Sequence, residues 1–326
     1  MKAILIEKFG GPDSLVIKEI PRPEPKTGEV VIKVKAFGVN HAEMHMRKGE
    51  WAEWMPVSGI ECVGTVVDCP GGQFAEGTAV ASLMGGLGRT INGSYAEYTR
   101  VRASNVVELG SGASTLGWHQ LAAIPESYAT GWTCLFRNLD LRSGQTLLIR
   151  GATSAFGQAA LNLAVETGAR VVATSRRESR FARLKALGAE RAVVEGPDLS
   201  ERLAERFDAV LDLVGNSTIV DSLKMVRRDG RVCLAGFLGG LAPIQDFNPL
   251  LQMASSVHFS FFGSFVFGTP EFPLSDVPLQ SIVKMVADRK FTAEPSRVFQ
   301  FNEIREAHRM MEANEATGKM VVIVDN

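Results

Sequence analysis

The stretch with the most chemistry in its residue types and spacing is Leu147-Leu148-Ile149-Arg150-Gly151-Ala152-Thr153-Ser154-Ala155-Phe156-Gly157. A short apolar run empties into small residues, a helical segment follows from Gln158 and stops at Gly168, and a second apolar run, Val171-Val172-Ala173-Thr174, begins at once. Strand, tight turn, helix and parallel strand make the unit that seats a dinucleotide pyrophosphate. Small side chains let the backbone approach the phosphates, and the free N–H groups and positive dipole end of the helix hold them. Only one glycine of the G-x-G-x-x-G pattern survives: Ala152 and Ser154 stand at the first two places and Gly157 at the third. Ala152, Thr153, Ser154, Ala155, Phe156 and Gly157 are therefore the expected pyrophosphate contacts. Small residues also occupy such turns in βαβ units that bind nothing.

The second strand runs into Ser175-Arg176-Arg177-Glu178-Ser179-Arg180. A chain built for NAD places Asp or Glu at this strand's tip to hold the ribose 2′-hydroxyl. Here Ser175, Arg176 and Arg177 stand there instead, and arginine grips a 2′-phosphate in bidentate fashion. Glu178 lies beyond them, where the next helix begins. The expected cofactor is NADP; the alternative is a solvated loop that happens to be basic.

These residues need elements to position them. From about Ala129 onward, helix and strand alternate: helix 181–187, strand 191–194, helix 200–205, strand 209–214 ending at Gly215, a helix ending near Gly230, strand 231–235 and a last strand near 257–262. Six strands in that rhythm predict a doubly wound parallel sheet. Before Pro125 the texture is short strands (30–36, 62–67, 94–101) punctuated by Gly59, Gly71, Gly72, Gly77 and Gly93, which predicts a β-rich, partly open barrel. The tail predicts helices over 279–289 and 303–312 and a strand over 320–324.

The chain has 326 residues, enough for two domains, and its 35 Lys and Arg nearly balance 36 Asp and Glu. Nothing in that balance points to nucleic acid or an anionic membrane. No apolar run is long enough to span a bilayer, and Met1-Lys2-Ala3-Ile4-Leu5-Ile6 reads as a strand rather than a signal peptide. Four scattered cysteines, Cys62, Cys69, Cys134 and Cys233, lack C-x-x-C spacing. A reduced, cytoplasmic protein is the expectation.

Over nearly its whole length the chain resembles the medium-chain dehydrogenase/reductase superfamily, in its quinone oxidoreductase branch. Met1-Lys2-Ala3-Ile4, Phe9-Gly10-Gly11-Pro12, Pro21-Arg22-Pro23, Gly28-Glu29-Val30 and Gly38-Val39-Asn40 carry the likeness at the start. Gly93-Ser94-Tyr95-Ala96-Glu97-Tyr98, the cofactor turn, Asp229-Gly230-Arg231-Val232 and Gly318-Lys319-Met320-Val321-Val322 continue it. The resemblance implies an α/β fold: a GroES-like, β-rich catalytic domain from residues 1–125 and 267–326, around a Rossmann NADP-binding domain of 126–266. It also implies that Thr130, Gly215 and Gly236 join the cofactor seat, and that two chains pair through the last Rossmann strand into a homodimer. Relatives usually keep glycine where Ser154 and Ala155 stand.

Alcohol dehydrogenases of the superfamily hold a catalytic zinc at three places, which fall here at Asn40, Ile60 and near Glu126. Isoleucine cannot ligate and an amide is a poor zinc ligand, so no metal is expected. Without a Lewis acid, hydride delivery to a quinone or an α,β-unsaturated carbonyl needs the least help, because the acceptor delocalises charge and one proton donor completes the step. Relatives often carry a tyrosine five residues after the asparagine; His45 stands there and is the candidate donor, with His41 a weaker one and a non-catalytic histidine the alternative. The resemblance implies that Asn40 hydrogen-bonds the carbonyl or the cofactor ribose. Trp51, Trp54 and the Phe-rich run 259–265 either line a flat apolar pocket or serve as core. The expectation is a zinc-independent, NADPH-dependent quinone or enone reductase. Enoyl-thioester reduction is the competing chemistry, and a non-catalytic NADPH-binding protein, crystallin-like or nucleic-acid-binding, is the alternative of another class.

Overall fold

A computed structural model describes residues 1–324. The chain divides into two compact units, Met1–Glu126 together with the segment from Ser264 onward, and Ser127–Gly263. The strands before the first junction are β1 (Lys2–Ile6), β2 (Leu15–Glu19), β3 (Glu29–Val39), β4 (Glu61–Asp68), β5 (Ala79–Leu83), β6 (Tyr98–Arg102) and β7 (Val106–Glu108). The central unit carries β8 (Thr146–Arg150), β9 (Arg170–Ser175), β10 (Arg191–Val194), β11 (Phe207–Asp212), β12 (Val226–Leu234) and β13 (His258–Phe261); β14 (Arg297–Gln300) and β15 (Met320–Ile323) follow it.

In the central unit the six strands are parallel, in the order β10-β9-β8-β11-β12-β13. This is the doubly wound sheet expected from the alternating texture. Its middle strands read as unbroken apolar runs because both faces are covered: Leu147, Leu148, Ile149, Val210 and Leu211 are fully buried. Strand order reverses between β8 and β11, and ligands of such sheets bind beyond the carboxyl ends at that point. Leaving β8, the chain turns at once into helix Ala155–Glu166, so the turn at 151–157 stands at that point.

Two expected helices are shorter than their segments. The helix read over 200–205 spans only Leu199–Arg202, and the one read to end near Gly230 is confined to Ile219–Leu223. From Val226 the chain is already strand, with a register shift against β11 between Phe207 and Ala209. Asp229 takes a left-handed φ of 62° there, which an α-helix interior does not tolerate.

The first unit is organised on β3, which pairs antiparallel with β4, β6 and β15. Its sheet runs β14-β15-β3-β4-β5-β7 and does not close on itself along that path. Inside it Phe37 stacks on Tyr95 at 4.5 Å between ring centroids. The strand expected over 94–101 begins only at Tyr98. Residues 93–95 instead bond the backbone of 57–59, and a Cβ on Gly93 would lie 2.2 Å from the Ser58 carbonyl oxygen. Among the described residues, no helix is long and apolar enough to cross a membrane.

Candidate functional site

The turn after β8 is built for close backbone approach. Gly151 has φ +78°, open to glycine at no steric cost. Ser154 is the N-cap of helix Ala155–Glu166: its Oγ accepts the Gly157 N–H at 3.0 Å and donates to the Gly151 carbonyl at 3.0 Å. A Cβ on Gly157 would sit 2.6 Å from Ala152 Cα, so the third glycine place is a packing requirement. The serine and alanine at 154 and 155 have places in the helix: one caps it and the other opens it. Thr153 and Phe156 are half-buried and Ala152 is fully buried. Gly215 and Gly236 meet: a Cβ on Gly215 would lie 2.8 Å from the Gly236 carbonyl oxygen. Thr130 is buried on helix Pro125–Thr133.

Arg150 was given no role by the sequence, and the structure makes it the hub of these loops. Fully buried at the end of β8, its Nη2 meets Glu195 at 2.5 Å and its Nη1 meets Asp221 at 2.7 Å and Ser222 at 3.1 Å. Burial works against its charge, but Glu195 and Asp212 outweigh that and hold its pKa above the ordinary arginine value. Glu195 accepts from Thr174 Oγ1 at 2.6 Å, and Thr174 Oγ1 accepts the Gly151 N–H at 2.9 Å. Asp212 accepts from Ser222 and from the Gly215 N–H. One arginine thus ties the β8 turn, the tip of β9 and the Gly215 loop together. The one signal in the sequence was a charged residue closing an apolar strand.

At the tip of β9, Ser175 is buried and its Oγ is spent on the Arg177 backbone, donating to the carbonyl at 3.0 Å and accepting the N–H at 3.2 Å. Arg176 and Arg177 are exposed and their guanidiniums pair with no group among the described residues. Arg180, on the next turn, has Nη1 3.5 Å from Thr153 Oγ1. Partial burial and then the Arg177 and Arg176 charges hold its pKa below the ordinary arginine value. Three guanidiniums therefore share one corner beside the turn.

In the first unit, Asn40 is the N-cap of helix His41–Lys48, and Glu43 reaches back to its N–H at 2.8 Å. Glu43 also accepts the Ile60 N–H at 3.0 Å, and Glu61 accepts the Glu126 N–H at 2.8 Å. The Asn40 amide donates to Glu61 at 2.9 Å and to Glu43 at 3.4 Å, and its Oδ1 accepts from Lys319 Nζ at 2.6 Å. Lys319 and Glu61 form a buried ion pair. Burial pushes the Glu43 carboxyl up to about 7. It also opposes the Lys319 charge, which Glu61 and Glu126 nevertheless hold above the ordinary lysine value. The places of Asn40, Ile60 and Glu126 thus converge, but on two carboxylates and an ammonium. Glu61 and Lys319 escaped the sequence reading because their partners are remote along the chain, whereas Glu43 stood three residues after Asn40, at capping-box spacing, as a signal within reach.

His45 lies on the same helix, its Nδ1 paired with Glu50 and its ring stacked on Trp51 at 5.8 Å and 10°. His41 is held below the ordinary histidine pKa by burial, His45 and Lys319. Trp54 packs edge-on against Phe9, Phe262 is core, and Phe259 and Phe261 stand exposed on β13.

Two family models match the chain: an alcohol dehydrogenase GroES-like domain over residues 26–111 and a zinc-binding dehydrogenase over 167–322. The chain is 27% identical to the quinone oxidoreductase of Homo sapiens, covering 99% of the chain and 98% of the relative. It is 24% identical to an acryloyl-coenzyme A reductase of Metallosphaera sedula, covering 99% of each. Among solved structures, an NAD-dependent alcohol dehydrogenase superposes with a TM-score of 0.84 at 28% identity over 100% of both chains.

Proposed function

Since the chain belongs to the medium-chain dehydrogenase/reductase superfamily, in its quinone oxidoreductase branch, we propose that it is a zinc-independent, NADPH-dependent reductase of quinones or α,β-unsaturated carbonyls. One observation carries the cofactor choice: Arg176, Arg177 and Arg180 crowd the tip of β9, where an NAD enzyme keeps a carboxylate. A 2′-phosphate relieves that repulsion, so these residues fit NADPH. One solved structure of similar fold is named for NAD, so NADH is the competing cofactor. Fluorescence titration should give NADPH at least about tenfold tighter than NADH, the least that a charge-assisted phosphate contact supplies. Equal affinities overturn the assignment.

NADPH, when bound, supplies the hydride. The N–H groups left free at the start of helix Ala155–Glu166 would hold the pyrophosphate, and Arg176, Arg177 and Arg180 would hold the 2′-phosphate. Asn40 Nδ2 spends one hydrogen on Glu61 at 2.9 Å, while the contact with Glu43 at 3.4 Å is loose enough to yield a donor to the substrate oxygen. His45, as an imidazolium paired through Nδ1 with the Glu50 carboxylate, would give up its Nε2 proton to the reduced substrate. The residues present do not fit zinc: Ile60 offers no donor side chain, and no group of three His, Cys, Asp or Glu among the described residues is arranged to hold a metal. Purified protein should contain far less than one zinc per chain, and a chelator should leave turnover unchanged.

The acryloyl-coenzyme A reductase relative favours a second reading, reduction of an enoyl thioester. NADPH consumption with a quinone, an enone and an enoyl thioester separates the two. A shift of NADPH fluorescence without consumption of any substrate supports the binding-only alternative. The four free cysteines suit a reducing cytoplasm. The outer edge of β13, carrying exposed Phe259 and Phe261, suits pairing with a second copy of the chain, and light scattering should give a dimer at micromolar concentration.

A further inference from the structure

We propose that Arg150 is a positioning residue for nucleotide choice: anchored on Asp221, it holds Glu195, and through Glu195 it sets the arginine corner at the tip of β9. It closes β8, the strand at which strand order reverses, so its guanidinium reaches to both sides of that point. On one side Nη1 donates to Asp221 at 2.7 Å, to Ser222 Oγ at 3.1 Å and to the Thr218 carbonyl at 3.4 Å. On the other, Nε and Nη2 donate to the two oxygens of Glu195 at 3.2 and 2.5 Å. Only a fork with several fixed donors makes both grips at once; an ammonium is a single point.

Glu195 lies one residue beyond β10, the outer strand of the sheet, which pairs with β9 alone. Its backbone N–H donates to the Ser175 carbonyl at 2.9 Å, and its carboxylate accepts from Thr174 Oγ1 at 2.6 Å. Both bonds fall on the last two residues of β9. Ser175 in turn fixes the Arg177 backbone through its Oγ, so the stance of Arg176 and Arg177 follows the end of β10. No residue of that strand is fully buried, so packing alone holds it weakly. The Glu195 side chain, by contrast, is only 6% exposed. Deprived of Arg150 it would be a buried charge without a partner, which the chain relieves by turning the carboxylate out to water. The end of β10 would move with it, and the Ser175 carbonyl would lose its bond. The pyrophosphate turn keeps anchors of its own, since the Ala152 N–H donates to the Thr174 carbonyl at 3.2 Å and Ser154 caps the helix. The loss therefore falls on the 2′-phosphate corner more than on the turn. This inference rests on the NADPH reading and says what enforces it.

Wild type, Arg150→Lys and Arg150→Met/Glu195→Gln are titrated with NADPH and with NADH, and melted without nucleotide. The double variant removes both charges of the pair and strands no carboxylate at 195. Arg150→Lys keeps the charge, which separates geometry from long-range attraction to the phosphate. In both variants NADH should stay within about threefold of wild type, while the preference for NADPH falls from at least about tenfold to within about threefold of unity. Arg176 and Arg177 are intact throughout, so the loss reports where they stand. A purely structural Arg150 lowers the melting temperature and leaves the ratio of affinities unchanged; that result overturns the proposal, as does a full preference in Arg150→Lys. Should either variant fail to fold, Glu195→Gln alone, which keeps the shape of the side chain, decides by the same ratio. Equal affinities in wild type defeat the NADPH reading itself, whereas a wild-type preference that survives in the variants defeats this proposal alone.

Discussion

Arg176 and Arg177 stand free while Arg150, the same residue type, is locked between Glu195 and Asp221; placement alone separates a ligand-holding arginine from a scaffold one. Replacing Arg176 or Arg177 with Ala should weaken NADPH by about 1.5–3 kcal/mol, at least roughly tenfold, and leave NADH nearly untouched. Parallel titrations of both nucleotides check this, and equal losses would point to a damaged fold. For His45, a His45→Phe variant should lower turnover roughly 10²–10⁴-fold, more for an enone than for a quinone that can draw its proton from water. Undiminished rates with both would assign the proton to solvent or another group. At this scale the arginines were visible in the sequence because strand, tip and charge are contiguous. The acid–lysine cluster was not, since Lys319 and Asn40 are 279 residues apart. Single-residue chemistry is readable when its partners are local.

Among the elements, the β8 turn and its helix were readable because an apolar strand, a run of small residues and one glycine at 157 are contiguous, although the Ser154 cap sets the helix start at Ala155 rather than Gln158. Gly157→Ala forces a Cβ to within 2.6 Å of Ala152 Cα. The turn must open, so the variant should lose about 1–3 kcal/mol of stability and bind both nucleotides more weakly, read by thermal melting and titration. That loss for NADH distinguishes it from the arginine variants. The short helix Ile219–Leu223 was misread because Asp212, not the helical pattern, organises that loop: it accepts from the Val214 and Gly215 N–H groups and from Thr218 and Ser222. Likewise the strand at 94–101 lost its first half to backbone pairing with the remote glycine-bearing segment 57–59. Propensity yields to such long-range bonds.

At the level of the whole molecule, the first unit closes around His308, whose Nδ1 accepts from Arg47 Nε at 3.3 Å and whose Nε2 meets Tyr95 OH at 3.2 Å. Burial, then the Arg47 charge, lowers its pKa from 6.5 to about 3. The unfolded chain therefore takes up this proton first as pH falls. Its contribution to stability is present above pH 6.5 and is lost progressively toward pH 3. Melting temperature measured across that window should fall, and His308→Gln should flatten the decline. A fall of equal steepness in the variant would place the acid sensitivity elsewhere.

The pairing of β15 with β3 carries a further consequence, for the order in which the molecule is made. Ribosomal synthesis delivers residues 127–263 as an unbroken segment, so the doubly wound sheet can fold as soon as it emerges. The segment 1–126 emerges earlier but lacks Lys319 and β15, one of the three strands that pair with β3, so the cluster around Glu61 cannot be completed until the end of the chain arrives. On this topology maturation is expected to run from the middle outward, with the earliest part of the chain the last to set. A nascent chain paused, or clipped by a protease, a few residues before Lys319 would therefore carry a completed central unit and an incomplete first unit, a state that quality-control chaperones and proteases would be first to meet.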